Sequence, residues 1–328
     1  MSTDPMPKQP RLLYLIRSNN TGGTYVAFTH VQALNRLGFA AQVVYLGKDE
    51  IDFQPDLPVI KGLNAADLDP RDVLVIDEGF RDGFAKLAGL RARKVLFNQA
   101  VFYGWYFGFE TPEELNAYPL DAVITASDYA TGLLRLFGVA KPIHTVPPML
   151  DERFRPGPKD LVISYNPAKR ALEGHYIKTY FRARHPRWKD VPWLRLADLS
   201  RQQCADAMSR SFLYASFAHL ESLGLMSLEA MKSRCLVVGF DGGGGREYRT
   251  DDNGCWIAEG DYAGFADALD RRCEGYAEAD QYATTLAAGE ATAARFNEAR
   301  FTAALTECWN AILGAEAVEY RPSVLSRR

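Results

Sequence analysis

Two glutamates, Glu221 and Glu229, stand with seven residues between them, and Gly224 and Leu225 lie in the interval. Leu223, Leu225, Met226, Leu228 and Met231 recur at helical spacing, which predicts a helix beginning near Gly224. Glu221 then precedes the helix and Glu229 lies in its second turn. Free N–H groups and the positive end of the helix dipole meet at such a start, and together they favour an anion. Carboxylates alone would repel a phosphate. Set to either side of it, they can accept hydrogen bonds from sugar hydroxyls while the helix end holds the phosphate. For any single Glu, a solvated place on a surface helix is the ordinary alternative. Here an apolar run of buried-strand type at 235–240 follows, then four consecutive glycines at 242–245 and Glu247, and this context favours the binding reading.

Other candidates lie upstream. Lys169 and Arg170 follow a short apolar run at 161–165. Cations beyond a strand end can meet an anionic ligand such as a phosphate; a solvated basic loop is the alternative. His219, two residues before Glu221, can line a base or sugar pocket, although a lone His is more often a structural hydrogen-bonding residue. Gly22 and Gly23 follow the run at 12–16 and precede a helical pattern that ends at Gly38, a C′ glycine. Adjacent glycines let backbone approach a ligand, and the helix behind them favours anions; an ordinary tight turn is equally compatible with these residues alone.

The elements that must position these residues alternate between strand and helix. Strands are expected at 12–16, 41–46, 72–76, 94–98 and 122–126, and again at 161–165, 193–197, 212–217, 235–240 and 255–258. This pattern predicts an α/β protein of two Rossmann-like, doubly wound lobes. The first turn lacks G-x-G-x-x-G, which argues against a classical dinucleotide site. Asp77-Glu78, Asn98-Gln99 and Ser127-Asp128 follow strand ends, where ligands bind in open α/β sheets, and each is a weaker candidate. Pro147-Pro148 and the Pro/Gly-rich stretch at 154–158 mark a linker. Expected domains are therefore 1–155, 156–315 with the terminal helices, and a flexible tail at 316–328.

The glutamate segment resembles the donor-binding segment of retaining glycosyltransferases of the GT-B fold, in particular the GT4 family. The match reads Glu221, Leu223, Gly224, Leu225, Glu229, Ala230 and Met231, then Gly243, Gly244 and Glu247. Ser222, Met226 and Arg234 stand where the family usually has Gly, Pro and Gly. The resemblance is specific over 212–261 and diffuse elsewhere. It implies transfer from a nucleotide-diphosphate sugar to a glycan, lipid-linked or other hydroxyl acceptor. By that resemblance Glu229 takes the ribose hydroxyls, Glu221 faces the transferred sugar, and Lys169 and Arg170 sit on the diphosphate. The family's Arg falls about a turn earlier, near Ser164 or Tyr165. A same-face displacement, in which the phosphate oxygen helps to deprotonate the acceptor, needs neither a protein nucleophile nor a metal. The first lobe would take the acceptor, and a terminal helix would cross back to it.

Composition sets outer bounds. The 328 residues suit two domains of middling size, and 47% hydrophobic content is ample for packed cores. A net charge of −3 argues against general nucleic-acid binding. No run approaches a transmembrane helix and the start lacks a signal-peptide pattern, so a cytoplasmic protein is expected, with peripheral contact at the inner membrane face open. Five dispersed cysteines read as reduced thiols, and the histidines show no metal-like spacing. Asp67-x-Asp69 lies before a strand and reads as a solvated loop. The stretch VFYGWYFGF at 101–109 carries six aromatics in nine residues, which fits a core cap or an acceptor-facing loop equally. An epimerase or phosphorylase of the same fold, and a non-catalytic sugar-nucleotide-binding scaffold, remain alternatives.

Overall fold

The computed structural model describes residues 9–17, 22–48, 57–197 and 199–321. The chain divides into two compact units, Met1–Pro148 with Phe301–Arg328 and Met149–Arg300. The first break thus falls after Pro148 rather than at 155.

In the first unit the run Leu12–Ile16 is strand β1, buried at every position. That burial is what a parallel sheet covered on both faces demands. Helix α1 (Gly22–Arg36) leads to β2 (Ala41–Tyr45) and β3 (Val59–Lys61), then β4 (Val73–Asp77), α2 (Arg81–Ala88) and β5 (Arg93–Asn98). A single helical turn, α3 (Val101–Tyr103), runs into a π-helical turn at Gly104–Gly108. Then come α4 (Pro112–Ala117), β6 (Ala122–Thr125), α5 (Asp128–Leu136) and β7 (Ile143–Thr145). All seven strands are parallel, in the order β3-β2-β1-β4-β5-β6-β7. The sense of winding reverses between β1 and β4, so the Gly22 turn and Asp77-Glu78 lie at the switch point.

The second unit runs β8 (Asp160–Tyr165), α6 (Ala171–Arg184), β9 (Trp193–Arg195), α7 (Arg201–Arg210) and β10 (Ser211–Glu221). It continues with α8 (Leu225–Lys232), β11 (Leu236–Gly243), β12 (Cys255–Trp256), α9 (Tyr262–Glu274) and α10 (Ala283–Ala294). Its five parallel strands lie in the order β12-β11-β10-β8-β9. One core packs α7, α8 and α10 on one face of the sheet, around Met208, Leu228 and Ala293. A second packs α6 and α9 on the other, around Phe181, Phe217 and Phe265.

The last helix, α11 (Glu298–Leu313), counts with the first unit from Phe301 on. Phe301 packs on the His30 ring at 5.2 Å and Trp309 on Tyr14 at 6.5 Å. The crossing helix was expected from the sequence; the assignment of its residues to the second domain was not retained. The supposed loose tail also differs, because 316–320 complete a 3-10 turn in which Tyr320 is fully buried. Its hydroxyl donates to the Arg71 carbonyl, and Arg71 and Arg93 pair with Glu319 and Glu316. Residues 322–328 lie outside those described.

Candidate functional site

The strand order of the second unit sets the ends of β8 and β10 side by side where the winding reverses. Lys169 follows β8, Glu221 closes β10, and their charged groups meet at 3.0 Å, both partly exposed. The end of β10 is irregular: its register with β11 shifts between Ala218 and Glu221, and Leu220 adopts φ 48°. A left-handed Leu is unfavourable by about 1–2 kcal/mol, and strain of that kind gathers at ligand sites. Gly224 then turns the chain at φ 85° into α8, whose first residue is Leu225. The Tyr248 hydroxyl donates to the Gly224 carbonyl at 2.9 Å and fixes this turn.

The glycine loop is built onto the same turn. Glu221 pairs with Gly243 in the β10–β11 register. A Cβ on Gly244 would stand 2.5 Å from Leu223 N and 2.7 Å from Glu221 O, so only glycine lets the two loops lie this close. Gly243 has φ 89°, and Glu247 ends the 3-10 turn behind it. Glu221, Gly224, Leu225, Gly243, Gly244, Glu247 and Lys169 thus belong to one end of one sheet.

Glu229 lies one turn into α8 and is almost fully buried. Its Oε1 accepts a 2.6 Å hydrogen bond from Arg201 Nη2, while Oε2 has no partner. Burial pushes this carboxyl above its ordinary range, and the Arg201 charge works against that rise. Arg201 is the first residue of α7, a helix fixed by a Ser200–Gln203 capping box. Its guanidinium lies 4.7 Å over the Phe154 ring and reaches Asp151 at 3.5 Å.

Arg170 differs from expectation, whereas His219 is a structural hydrogen-bonding residue, as a lone His more often is. Arg170 is buried, and its guanidinium donates to Ala218 O, Glu173, Glu259 and His219 Nδ1. It also lies 4.7 Å over the Phe240 ring. These partners make Arg170 the brace of the β10 end, and His219 is one of its acceptors.

Gly22 and Gly23 belong to the first unit and form the first two residues of α1, not the turn before it; 18–21 lie outside the described residues. The Gly23 carbonyl accepts from Gln99 Nε2 at 2.9 Å. Glu78, buried behind β4, accepts from the N–H groups of Gln99 and Ala100 at 3.1 and 2.8 Å. Burial and the neighbouring Asp77 push its carboxyl up to about 8. The aromatic stretch packs on this corner: a Cβ on Gly108 would meet the Glu78 carbonyl at 3.0 Å, and one on Gly104 the Asn98 amide at 2.5 Å. Asp69 pairs with Arg71, away from these strand ends. Among the described residues no three His, Cys, Asp or Glu side chains are grouped to hold a metal ion, and no helix is long and apolar enough to cross a membrane.

Two Rossmann-like units, each built on a parallel sheet, make up the architecture of the GT-B fold. An α-1,6-glucosyltransferase of Actinobacillus pleuropneumoniae serotype 7 (strain AP76) is 32% identical to this chain over 258 residues, 75% of this chain and 78% of that protein. The chain belongs to the glycosyltransferases of the GT-B fold. Anabaena Alr3699/HepE, solved with UDP-glucose, superposes with a TM-score of 0.68 at 15% identity, covering 92% of this chain and 99% of that one. The pneumococcal O-GlcNAc transferase GtfA, solved with UDP and GlcNAc, gives 0.69 at 11%, covering 93% and 99%. No protein-family model matches the chain.

Proposed function

We propose that the protein transfers glucose from UDP-glucose to the 6-hydroxyl of a glycan, with retention of configuration and without a metal, as an enzyme of GT4 type. The observation that carries the reading is the 32% identity to an α-1,6-glucosyltransferase; the UDP-glucose complex of HepE supports the choice of donor. The glucose of UDP-glucose is α-linked to phosphate, so an α-linked product keeps its configuration. In this reading Glu229 receives the ribose hydroxyls, and the start of α8 with Gly243 and Gly244 takes the diphosphate. Lys169 meets the negative charge that grows on the leaving phosphate. Glu221, held 3.0 Å from Lys169, faces the sugar as positive charge develops at its anomeric carbon. The leaving phosphate oxygen accepts the acceptor proton on the same face. The acceptor is assigned to the first unit.

The test is turnover of UDP-glucose with a glucose-terminated oligosaccharide, in buffer with and without EDTA. We expect UDP release that depends on acceptor, is unchanged by EDTA, and yields a new α-anomeric proton with substitution at C6. A β-linked product, or activity lost in EDTA and restored by manganese or magnesium, would overturn the mechanism. Turnover without acceptor would favour an epimerase or hydrolase instead.

A further inference from the structure

Glu229 and Arg201 are 28 residues apart in sequence, yet they form a salt bridge of 2.6 Å in which the carboxylate side chain is 1% exposed. The two oxygens of Glu229 are unlike: one is taken by Arg201, and the other is buried with no donor. A buried carboxylate oxygen without a donor is unfavourable by about 1–3 kcal/mol, and a ligand hydroxyl removes that penalty. Arg201 is itself fixed. The capping box sets the start of α7, Phe154 lies beneath the guanidinium, and Asp151 lies 3.5 Å from the same Nη2 that Glu229 takes. Asp151 in turn takes 2.6–3.0 Å hydrogen bonds from Arg153.

We propose that Arg201 is a positioning residue of the donor site: it holds one oxygen of the Glu229 carboxylate and leaves the second for the ribose hydroxyls of the nucleotide. The inference rests on the donor reading of Glu229 given above. The groups facing Glu229 are Arg201 and Cys204 on α7, Asp151 and Arg153 before β8, and Tyr214 on β10. Burial pushes the Cys204 thiol and the Tyr214 phenol up, so above neutral pH they hold their protons. Asp151 adds negative charge, which opposes ionisation of Glu229 once Arg201 is gone. With Arg201 removed, that opposition to the rise is lost and the Glu229 carboxyl moves further up, toward its protonated form.

The experiment compares binding of UDP with that of its 2′,3′-dideoxy analogue between pH 7 and 9.5, in the wild-type chain and in Arg201→Met. The ratio of the two dissociation constants cancels the titration of the phosphates and of whatever else the two ligands share. In the wild type we expect the ribo form to bind about ten- to a hundred-fold more tightly, flat with pH, as one charge-assisted hydrogen bond gives. In R201M the ratio should fall at least about five-fold at pH 7 and recover as the pH is raised. Should R201M fail to fold, Arg201→Lys is read in the same way, with a smaller displacement on the same side. A wild-type ratio near one would overturn the ribose reading of Glu229, and the proposal with it. A normal wild-type ratio, with variants that keep it or lose it equally at every pH, would overturn the role of Arg201 alone.

Discussion

At the scale of single residues, Glu221 and Glu229 are unlike in the two properties that decide what a carboxylate does. Glu229 is buried and paired with Arg201, whereas Glu221 is partly open and paired with Lys169 at 3.0 Å. Each changed to Gln, they should fail differently. In the proposed reading Glu229 binds ribose in ground and transition states alike, so in Glu229→Gln donor KM should rise about ten- to a hundred-fold with kcat kept. The change also takes the nearer of two carboxylates from the partly exposed Arg201, and stability should drop by about 2 kcal/mol. Glu221→Gln breaks a partly solvated pair, and the melting temperature should barely move. Its kcat should fall while UDP binding stays intact, because the charge it answers develops only during transfer. Steady-state kinetics with calorimetric UDP titrations check both; equal behaviour of the two variants would sink the division of roles. The glutamates were legible in the sequence because their spacing straddles a helix start. Arg201 was not: nothing local ties the first residue of one helix to the second turn of another. Arg170 misled for the converse reason, since a basic residue after a strand end reads alike whether it meets a ligand or, as here, Glu173 and Glu259.

At the scale of elements, the site is a contact between two loops. The turn from β10 into α8 carries Glu221, and the glycines that close β11 press against it. Alanine at 244 would drive its methyl into backbone atoms of Glu221, Ser222 and Leu223, none of which can rotate away. Gly244→Ala should therefore displace Glu221 and lower kcat by about ten-fold or more, since a shift approaching 1 Å costs about a hundred-fold. Gly132→Ala serves as contrast. It lies within α5 with nothing within 4 Å of the added Cβ, and it should raise stability by about 0.5–1 kcal/mol without touching activity. A Gly244→Ala enzyme as active as the parent would show that the loops do not constrain each other. Buried stretches such as β1 and the first seven residues of β10 were legible as apolar runs. The three-residue edge strands β3 and β7 were not, because their residues are only half buried and show no run to read. The aromatic stretch fits neither the helical nor the strand period because part of it is a π-helical turn whose glycines lie against Asn98 and Glu78.

At the scale of the molecule, the first unit is closed by both ends of the chain. Tyr14 from β1, His30 from α1 and Phe97 from β5 meet Phe301 from α11 in one aromatic cluster, with ring centroids 4.9–5.9 Å apart around His30. His30 is fully buried; its Nδ1 meets the Tyr14 hydroxyl at 3.2 Å and its Nε2 has no partner. Burial alone lowers its pKa from 6.5 to about 3. The sign of the consequence follows directly. Below pH 6.5 the unfolded chain binds a proton at His30 that the folded chain refuses, so stability present above pH 6.5 is lost as the pH falls. The loss approaches about 1.4 kcal/mol per pH unit and ends only near pH 3, where the folded His30 protonates too. Carboxylates contribute their own acid dependence, so the term must be taken as a difference. Urea unfolding of the parent and of His30→Phe, followed at pH 6.5 and pH 5, isolates it. The variant leaves the Tyr14 hydroxyl without its partner, an effect that does not change with pH. Between those two pH values the parent should lose about 2 kcal/mol more than His30→Phe. Parallel losses would mean that His30 reaches solvent in the folded protein, and that the helix returning from the end of the chain does not seal the first unit.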